Sequence, residues 1–181
     1  MKTLYLLSGL SFSGKSTLGG LLAERTGAGV VSLDAINSRR GLHGGDGIPD
    51  EDWLATHHLA LAEVERLCRA GRPVIVDDTN CFRWLRDAYR RVAAGFGYRS
   101  LVLMLELPVV EALARAELND RTGARAPVAR RVLEELAAKF EWPAPDEAVV
   151  TIPAQAPFGP WLDTALERGG PLAEPDSDPA T

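Results

Sequence analysis

The chain has 181 residues, of which 46% are hydrophobic and 25% are charged, so its composition is that of one globular domain and excludes a largely disordered chain. The formal net charge of −5 disfavours general binding to nucleic acids, which depends on a surplus of Lys and Arg. No apolar run is long enough to span a membrane, and Cys68 and Cys81 have neither a CxxC nor a zinc-binding spacing, so we expect a cytoplasmic protein with reduced thiols.

Short apolar runs alternate with amphipathic segments along the chain, which is typical of α/β proteins with helices on both faces of a parallel sheet. The predicted strands cover residues 3–7, 29–33, 73–76, 100–105 and 148–152. The predicted helices cover residues 15–25, 50–70, 82–95, 109–120 and 127–140, with irregular segments at 41–49 and 122–126. Residues 1–152 thus form the predicted domain. Residues 153–181, rich in Pro, Gly, Ala and acids, are expected to be an extension that is disordered from about residue 171.

A glycine-rich segment directly after the first predicted strand matches the pattern GxxxxGK[ST]. Such a loop points its backbone N–H groups at the phosphates of a nucleotide, and the N-terminus of the following helix adds its dipole. We expect Lys15 to reach the β- and γ-phosphates and the Ser16 hydroxyl to bind Mg²⁺. The alternative is a turn that binds no ligand. The predicted nucleotide-binding residues are Gly9, Leu10, Ser11, Phe12, Ser13, Gly14, Lys15, Ser16 and Thr17.

An aspartate, Asp34, ends the second apolar run. Ligands of open α/β sheets bind at the carboxyl ends of the strands, so this carboxylate is expected to face the phosphates. There it could align a hydroxyl group and accept its proton during phosphoryl transfer. The alternative role is an N-cap of the following segment. Asn37, Arg39 and Arg40 come next and could hold the acceptor or a phosphate, although the two arginines are as readily explained as solvated surface residues.

The third predicted strand ends in the run Asp77-Asp78-Thr79-Asn80. A carboxylate at this position, beside a phosphate loop, can support Mg²⁺ directly or through water. The spacing does not decide between Asp77 and Asp78. Thr79 and Asn80 could contact the acceptor, and an Asx turn that caps the next helix is the equal alternative.

Five arginines surround the irregular segment 122–126. Arginines on a loop between two helices suit a lid, at about residues 115–131, that closes over a triphosphate and excludes water. Each arginine alone could equally be a solvated helix residue. We expect Arg121 to stabilise the transferring group and Arg115 and Arg125 to assist it, with Arg130 and Arg131 completing the set.

Together these motifs resemble the P-loop kinases related to phage polynucleotide kinase, chloramphenicol phosphotransferase, the zeta toxins and seryl-transfer-RNA kinase. The resemblance covers about residues 1–152 and includes Asn119 near Arg121 and the run Phe140-Glu141-Trp142-Pro143. It implies a three-layer P-loop NTPase fold with a five-stranded parallel sheet of order 2-3-1-4-5 and an arginine-bearing lid. It also implies ATP and Mg²⁺ as ligands, with Asp34 as the general base.

One position departs from this resemblance. Polynucleotide kinases commonly carry an arginine three residues after the catalytic aspartate, where this chain has Asn37. With the acidic net charge, this favours transfer to a hydroxyl of a small molecule such as an antibiotic, nucleoside or metabolite. A nucleic-acid partner, as for a polynucleotide 5′-hydroxyl or tRNA kinase, is possible but not favoured, and a nucleotide-binding ATPase module without an acceptor ranks last.

Overall fold

The computed structural model describes residues 2–42 and 47–167. Its centre is a five-stranded parallel sheet of order β2-β3-β1-β4-β5, as predicted. Strand β1 is buried along its whole length because β3 and β4 flank it and helices cover both faces. The strands are β1 Thr3–Ser8, β2 Gly29–Ser32, β3 Val74–Asp77, β4 Arg99–Glu106 and β5 Val149–Pro153.

Helices cover both faces of this sheet and complete the three layers. Val64 of α3 and Tyr89 of α4 are fully buried on one face, and Leu22 of α1 and Leu162 of α7 are fully buried on the other. The helices are α1 Lys15–Thr26, α2 Leu33–Arg39, α3 Asp50–Arg69, α4 Arg83–Ala94, α5 Val109–Thr122, α6 Arg130–Lys139 and α7 Phe158–Glu167, with a 3₁₀ turn at Pro145–Glu147.

Two helices were not predicted. Ser32 caps α2 by accepting a hydrogen bond from the Ala35 N–H, so Asp34 lies in the first turn of a helix and not at the end of a strand. Helix α7 packs on α1 through the apolar core and through an ion pair of 2.6 Å between Arg25 and Asp163. The fold therefore continues past residue 152, to Glu167. The disorder expected from residue 171 falls outside the described residues, as does the 43–46 part of the segment expected to be irregular.

Within the described ranges, no helix combines the length and the apolar character that a membrane crossing requires.

Candidate active site

The loop after β1 turns tightly because its glycines adopt conformations that other residues rarely reach. Gly9 has φ 141° and Gly14 has φ 98°. A Cβ atom on Gly9 would lie 2.6 Å from the Leu105 carbonyl oxygen, and one on Gly14 would lie 2.9 Å from the Phe158 ring. The loop thus leads directly into the N-terminus of α1, the arrangement that binds phosphate groups through backbone N–H groups.

Lys15, the first residue of α1, folds its side chain back into this loop. Its ammonium group donates hydrogen bonds to the carbonyl oxygens of Gly9, at 2.9 Å, and Leu10, at 2.7 Å. Burial lowers the pKa of Lys15 to about 8, although the nearby carboxylates of Asp77 and Asp78 act in the opposite direction. The site therefore places a buried cation beside two carboxylates at the carboxyl edge of the sheet.

Ser16 and Asp77 form a donor set that fits Mg²⁺. Burial raises the pKa of Asp77, and a hydrogen bond from the Ser16 side chain partly offsets that rise. A hydroxyl and a carboxylate oxygen are ligands that Mg²⁺ accepts, and the ion commonly takes the rest from phosphate and water. Among the described residues, no three His, Cys, Asp or Glu side chains are grouped as metal ligands.

The other residues after β3 have different surroundings. Burial raises the pKa of Asp78, and the backbone N–H groups of Thr79 and Asn80 oppose the rise. The hydrogen bond from Ser16 therefore favours Asp77 over Asp78 as the residue that would support a metal ion, a choice that the sequence left open. Thr79 is half-buried, and its carbonyl accepts a hydrogen bond from Gly9 N–H. The Asn80 side chain is fully buried and donates to the Leu7 carbonyl at 2.7 Å, so it ties β3 to β1 and does not face an acceptor.

Helix α2 presents only one of its candidate residues to the phosphate loop. The Asp34 side chain is 83% exposed, and its Oδ2 atom lies 3.7 Å from Nη2 of Arg125 in the lid. Asn37 is buried, and its side-chain oxygen accepts a hydrogen bond from Thr56 of α3. Arg39 pairs with Glu63 at 2.6 Å, and Arg40 pairs with Asp52 at 2.7 Å. These three residues therefore join α2 to α3.

The segment predicted to be a lid, residues 115–131, contacts the phosphate loop through two arginines. The Arg125 guanidinium lies 4.7 Å from the centre of the Phe12 ring, and Arg115 donates to the Phe12 carbonyl at 3.0 Å. The buried Asn119 side chain fixes the lid loop by bonding both the N–H and the carbonyl of Arg125, at 3.0 and 3.1 Å. Arg121 is exposed in the last turn of α5, and no hydrogen bond or ion pair joins it to any described residue of the loop.

The remaining lid arginines make ion pairs on the surface. Arg130 pairs with Glu134 at 2.9 Å and with Glu117 at 3.2 Å, and Arg131 pairs with Glu135 at 2.9 Å. Such exposed pairs contribute little to stability and leave both residues at the outer side of α6.

A family model described as an AAA domain matches residues 4–143, which include the phosphate loop, Asp34 and the lid. The chain belongs to this AAA domain family. No curated protein matched the sequence. The narrower relationship with polynucleotide kinase, chloramphenicol phosphotransferase and the zeta toxins rests on the motifs alone and stays a prediction.

Solved structures similar to this AAA domain protein include several kinases. A sugar kinase from Janibacter sp. HTCC2649 is 21% identical, with a TM-score of 0.70 and coverage of 92% of this chain and 93% of that one. A gluconokinase from Sinorhizobium meliloti 1021 is 24% identical, with a TM-score of 0.66 and coverage of 92% and 90%. The APS kinase of Mycobacterium tuberculosis, solved with AMPPNP and APS, is 18% identical, with a TM-score of 0.64 and coverage of 92% and 95%. The shared feature is the P-loop nucleotide-binding fold.

The AAA domain also contains a polar group that the sequence did not indicate. His57 of α3 is only 4% exposed, and its Nδ1 atom lies 3.1 Å from the Tyr89 hydroxyl. Burial lowers the pKa of His57 to about 4. The exposed ring of Trp84 packs edge-on against His57, with ring centres 5.4 Å apart. These contacts link residues of α3 and α4 that lie 27 to 32 positions apart in the sequence, and no sequence motif indicates them.

Proposed function

We propose that the protein transfers the γ-phosphoryl group of ATP to a hydroxyl group of a small molecule. The observation that carries this proposal is the pairing of Asp34 with Arg125 across the phosphate loop. Asp34 is exposed and makes no contact that the fold needs, and Arg125 also stacks on Phe12 of the loop. A carboxylate in this position suits an acceptor hydroxyl and has no role in binding the nucleotide phosphates.

Different residues of the site bind the nucleotide, stabilise the transferring group and accept the proton of the acceptor hydroxyl. The backbone N–H groups of residues 9–17 and the Lys15 ammonium bind the triphosphate, and the lid arginines Arg125 and Arg115 balance charge on the transferring group. As the acceptor oxygen bonds to the γ-phosphorus, its proton passes to the Asp34 carboxylate, and the bond from that phosphorus to the leaving ADP oxygen breaks. Ser16 and Asp77 would hold Mg²⁺, which neutralises charge on the β- and γ-phosphates when bound.

The comparisons support the ATP-dependent class of this proposal. The family model spans the phosphate loop and the lid, and the similar solved structures include proteins described as a sugar kinase, a gluconokinase and an APS kinase, the last with an ATP analogue. The phosphate-binding geometry in this chain agrees with such a ligand because Ser13 Oγ is buried in the loop without a partner among the described residues. A bound phosphate would give that hydroxyl an acceptor.

Contacts of α2 favour a small acceptor over a polynucleotide. Asn37 stands where the resemblance would place an arginine for the acceptor's phosphate, and its side chain is buried against Thr56. The neighbouring arginines Arg39 and Arg40 already have carboxylate partners on α3. These arginines are therefore not available to bind the phosphates of a polynucleotide, and such binding depends on several available cations.

The test is phosphoryl transfer from γ-labelled ATP to a panel of sugars, nucleosides and 5′-hydroxyl oligonucleotides. Asp34→Asn should lower kcat about 100-fold or more while the affinity for ATP stays unchanged, because only the proton acceptor is removed. Glu24→Gln, which alters an exposed carboxylate on α1, is the matched control and should retain full activity. Wild-type transfer rates in Asp34→Asn, or release of free phosphate with no transfer to any acceptor, would contradict the proposal.

A further inference from the structure

A side wall made by α2, α3 and α4 continues from Asp34 along the carboxyl edge of the sheet. Asp34 and Asp78 follow the carboxyl ends of the neighbouring strands β2 and β3, and helix α4, which comes after Asp78, buries the hydroxyl of Tyr89. That hydroxyl contacts His57, and His57 contacts the Trp84 ring. Here this set (Asp34, Asp78, Tyr89, His57 and Trp84) is called the acceptor wall.

Five arginines near the acceptor wall already have carboxylate partners. On α2, Arg39 and Arg40 pair with Glu63 and Asp52. On α4, three arginines pair with carboxylates of α4 itself or of the segment before β5: Arg83 with Asp146, Arg86 with Glu147 and Arg90 with Asp87. An anionic acceptor would have to compete with one of these carboxylates for its cation.

Under the proposed function, the cations at the phosphate loop serve the triphosphate, and Asp34 is left beside the acceptor. Lys15, Arg115 and Arg125 contact residues of that loop, whereas the Asp34 side chain is 83% exposed. A negatively charged acceptor group would therefore be repelled by the Asp34 carboxylate, whereas a neutral hydroxyl compound would not.

At one end of the acceptor wall, the Trp84 ring offers an uncharged aromatic surface. Trp84 is 53% exposed in the first turn of α4, at the same edge of the sheet as Asp77 and Asp78. The buried His57 ring beneath it holds this ring in place through an edge-on contact. An exposed aromatic face suits the C–H face of a ring compound, and the exposed Asp34 carboxylate suits a hydroxyl of the same compound.

We propose that the acceptor is an uncharged ring compound with several hydroxyl groups, such as a neutral monosaccharide or cyclitol, and that it packs against Trp84. This inference rests on the proposed function, because it names the acceptor class of that same site. It separates this chain from kinases whose acceptors carry a carboxylate or phosphosulfate group.

The experiment compares matched acceptors that differ in charge. Neutral aldoses and cyclitols are assayed with γ-labelled ATP beside the aldonic and uronic acids of the same sugars. The best neutral compound should exceed its acid partner about tenfold or more in kcat/KM, the effect of one repelled charge. Preference for the acids overturns this inference and leaves the kinase activity standing. No transfer to any acceptor overturns the proposed function and this inference with it.

A pair of tryptophan variants tests the position of the ring. Trp84→Ala should raise KM for the neutral acceptor about three- to tenfold, with KM for ATP unchanged, and Trp84→Phe should restore most of the loss. Glu24→Gln on α1 is again the control and should leave both constants unchanged. Trp84→Arg should shift preference toward the acid of each pair. An unchanged acceptor KM in Trp84→Ala would overturn the packing against this ring.

Discussion

Arg125 contacts both sides of the candidate active site, since its guanidinium pairs with Asp34 and stacks on Phe12. Arg121, which the sequence favoured, has neither contact. We therefore expect Arg125→Ala to lower kcat on the order of 10³-fold, the range found for arginines that stabilise a transferring phosphoryl group. Arg121→Ala is the matched control, with a loss below about tenfold, since an exposed and unpaired charge contributes little. Equal losses in steady-state kinetics of the two variants would contradict this assignment.

His57 should make the stability of the protein depend on pH. Burial holds its pKa near 4 in the folded protein, against an ordinary value of 6.5, with His58 adding repulsion and Tyr89 and Trp84 in contact. Above pH 6.5 the ring is neutral in both states and has no effect. As the pH falls toward 4, only the unfolded chain gains the proton, so the free energy of unfolding falls by about 3 kcal/mol.

The measurement is urea unfolding at pH 7 and at pH 4.5. In His57→Asn, the free energy of unfolding should fall much less between pH 7 and pH 4.5 than in the wild type. His58→Asn alters the exposed neighbour and should show the same fall as the wild type. Comparing each variant with itself at the two pH values cancels any packing defect. A pH dependence in His57→Asn equal to that of the wild type would show that other groups cause it.

At the scale of elements, hydrophobic periodicity predicted the five strands and five of the helices to within a few residues, because each is long or strongly apolar. Helix α2 was missed because its seven residues follow β2 without a break, and the predicted strand included Leu33, the first residue of the helix. Helix α7 was missed because its first turn contains Gly159 and Pro160, and this pair of residues is typical of a loop. A short helix is stabilised mainly by the residues that it packs against, and these residues come from distant parts of the chain.

The attachment of α4 to the edge of the sheet depends on one buried ion pair. Arg86 binds Glu147 through two hydrogen bonds, of 2.7 and 2.9 Å, and both side chains are fully buried. Arg86 also donates to the carbonyl oxygens of Asn80 and Glu141. These partners lie up to 61 residues away, so local sequence patterns could not reveal them.

Breaking this pair should be costly. Glu147→Gln should lower the free energy of unfolding by about 3–5 kcal/mol because it leaves a buried guanidinium without its counter-charge. In a double-mutant cycle followed by urea unfolding, Arg86→Met/Glu147→Leu should lose less free energy of unfolding than the summed losses of Arg86→Met and Glu147→Leu. Glu65→Gln breaks the exposed pair with Arg69 and should cost under about 1 kcal/mol. A similar cost for the buried and the exposed pair would contradict the assignment.

At the scale of the whole molecule, the sequence revealed those parts of the site that lie within one segment. The phosphate loop is contiguous, so its residues could be predicted, whereas the pairing of Asp34 with Arg125 joins α2 to the loop between α5 and α6. The same holds for Phe158 of α7, which packs against Gly14 at the other end of the chain. The phosphate loop is thus supported by a helix that composition alone assigned to an extension.

Helix α7 should therefore be required for both stability and nucleotide binding. Its Leu162 is fully buried against the face that holds α1, and its Phe158 ring supports the turn at Gly14. Phe158→Ala should lower the free energy of unfolding by about 1–2 kcal/mol, because it removes a partly buried ring that packs against the core and the loop. The same variant should weaken ATP binding several-fold in calorimetry, since the loop loses its support. Truncation after residue 157, which removes the helix, should reduce both quantities. Normal ATP affinity in Phe158→Ala would show that α7 stabilises the fold without shaping the phosphate loop.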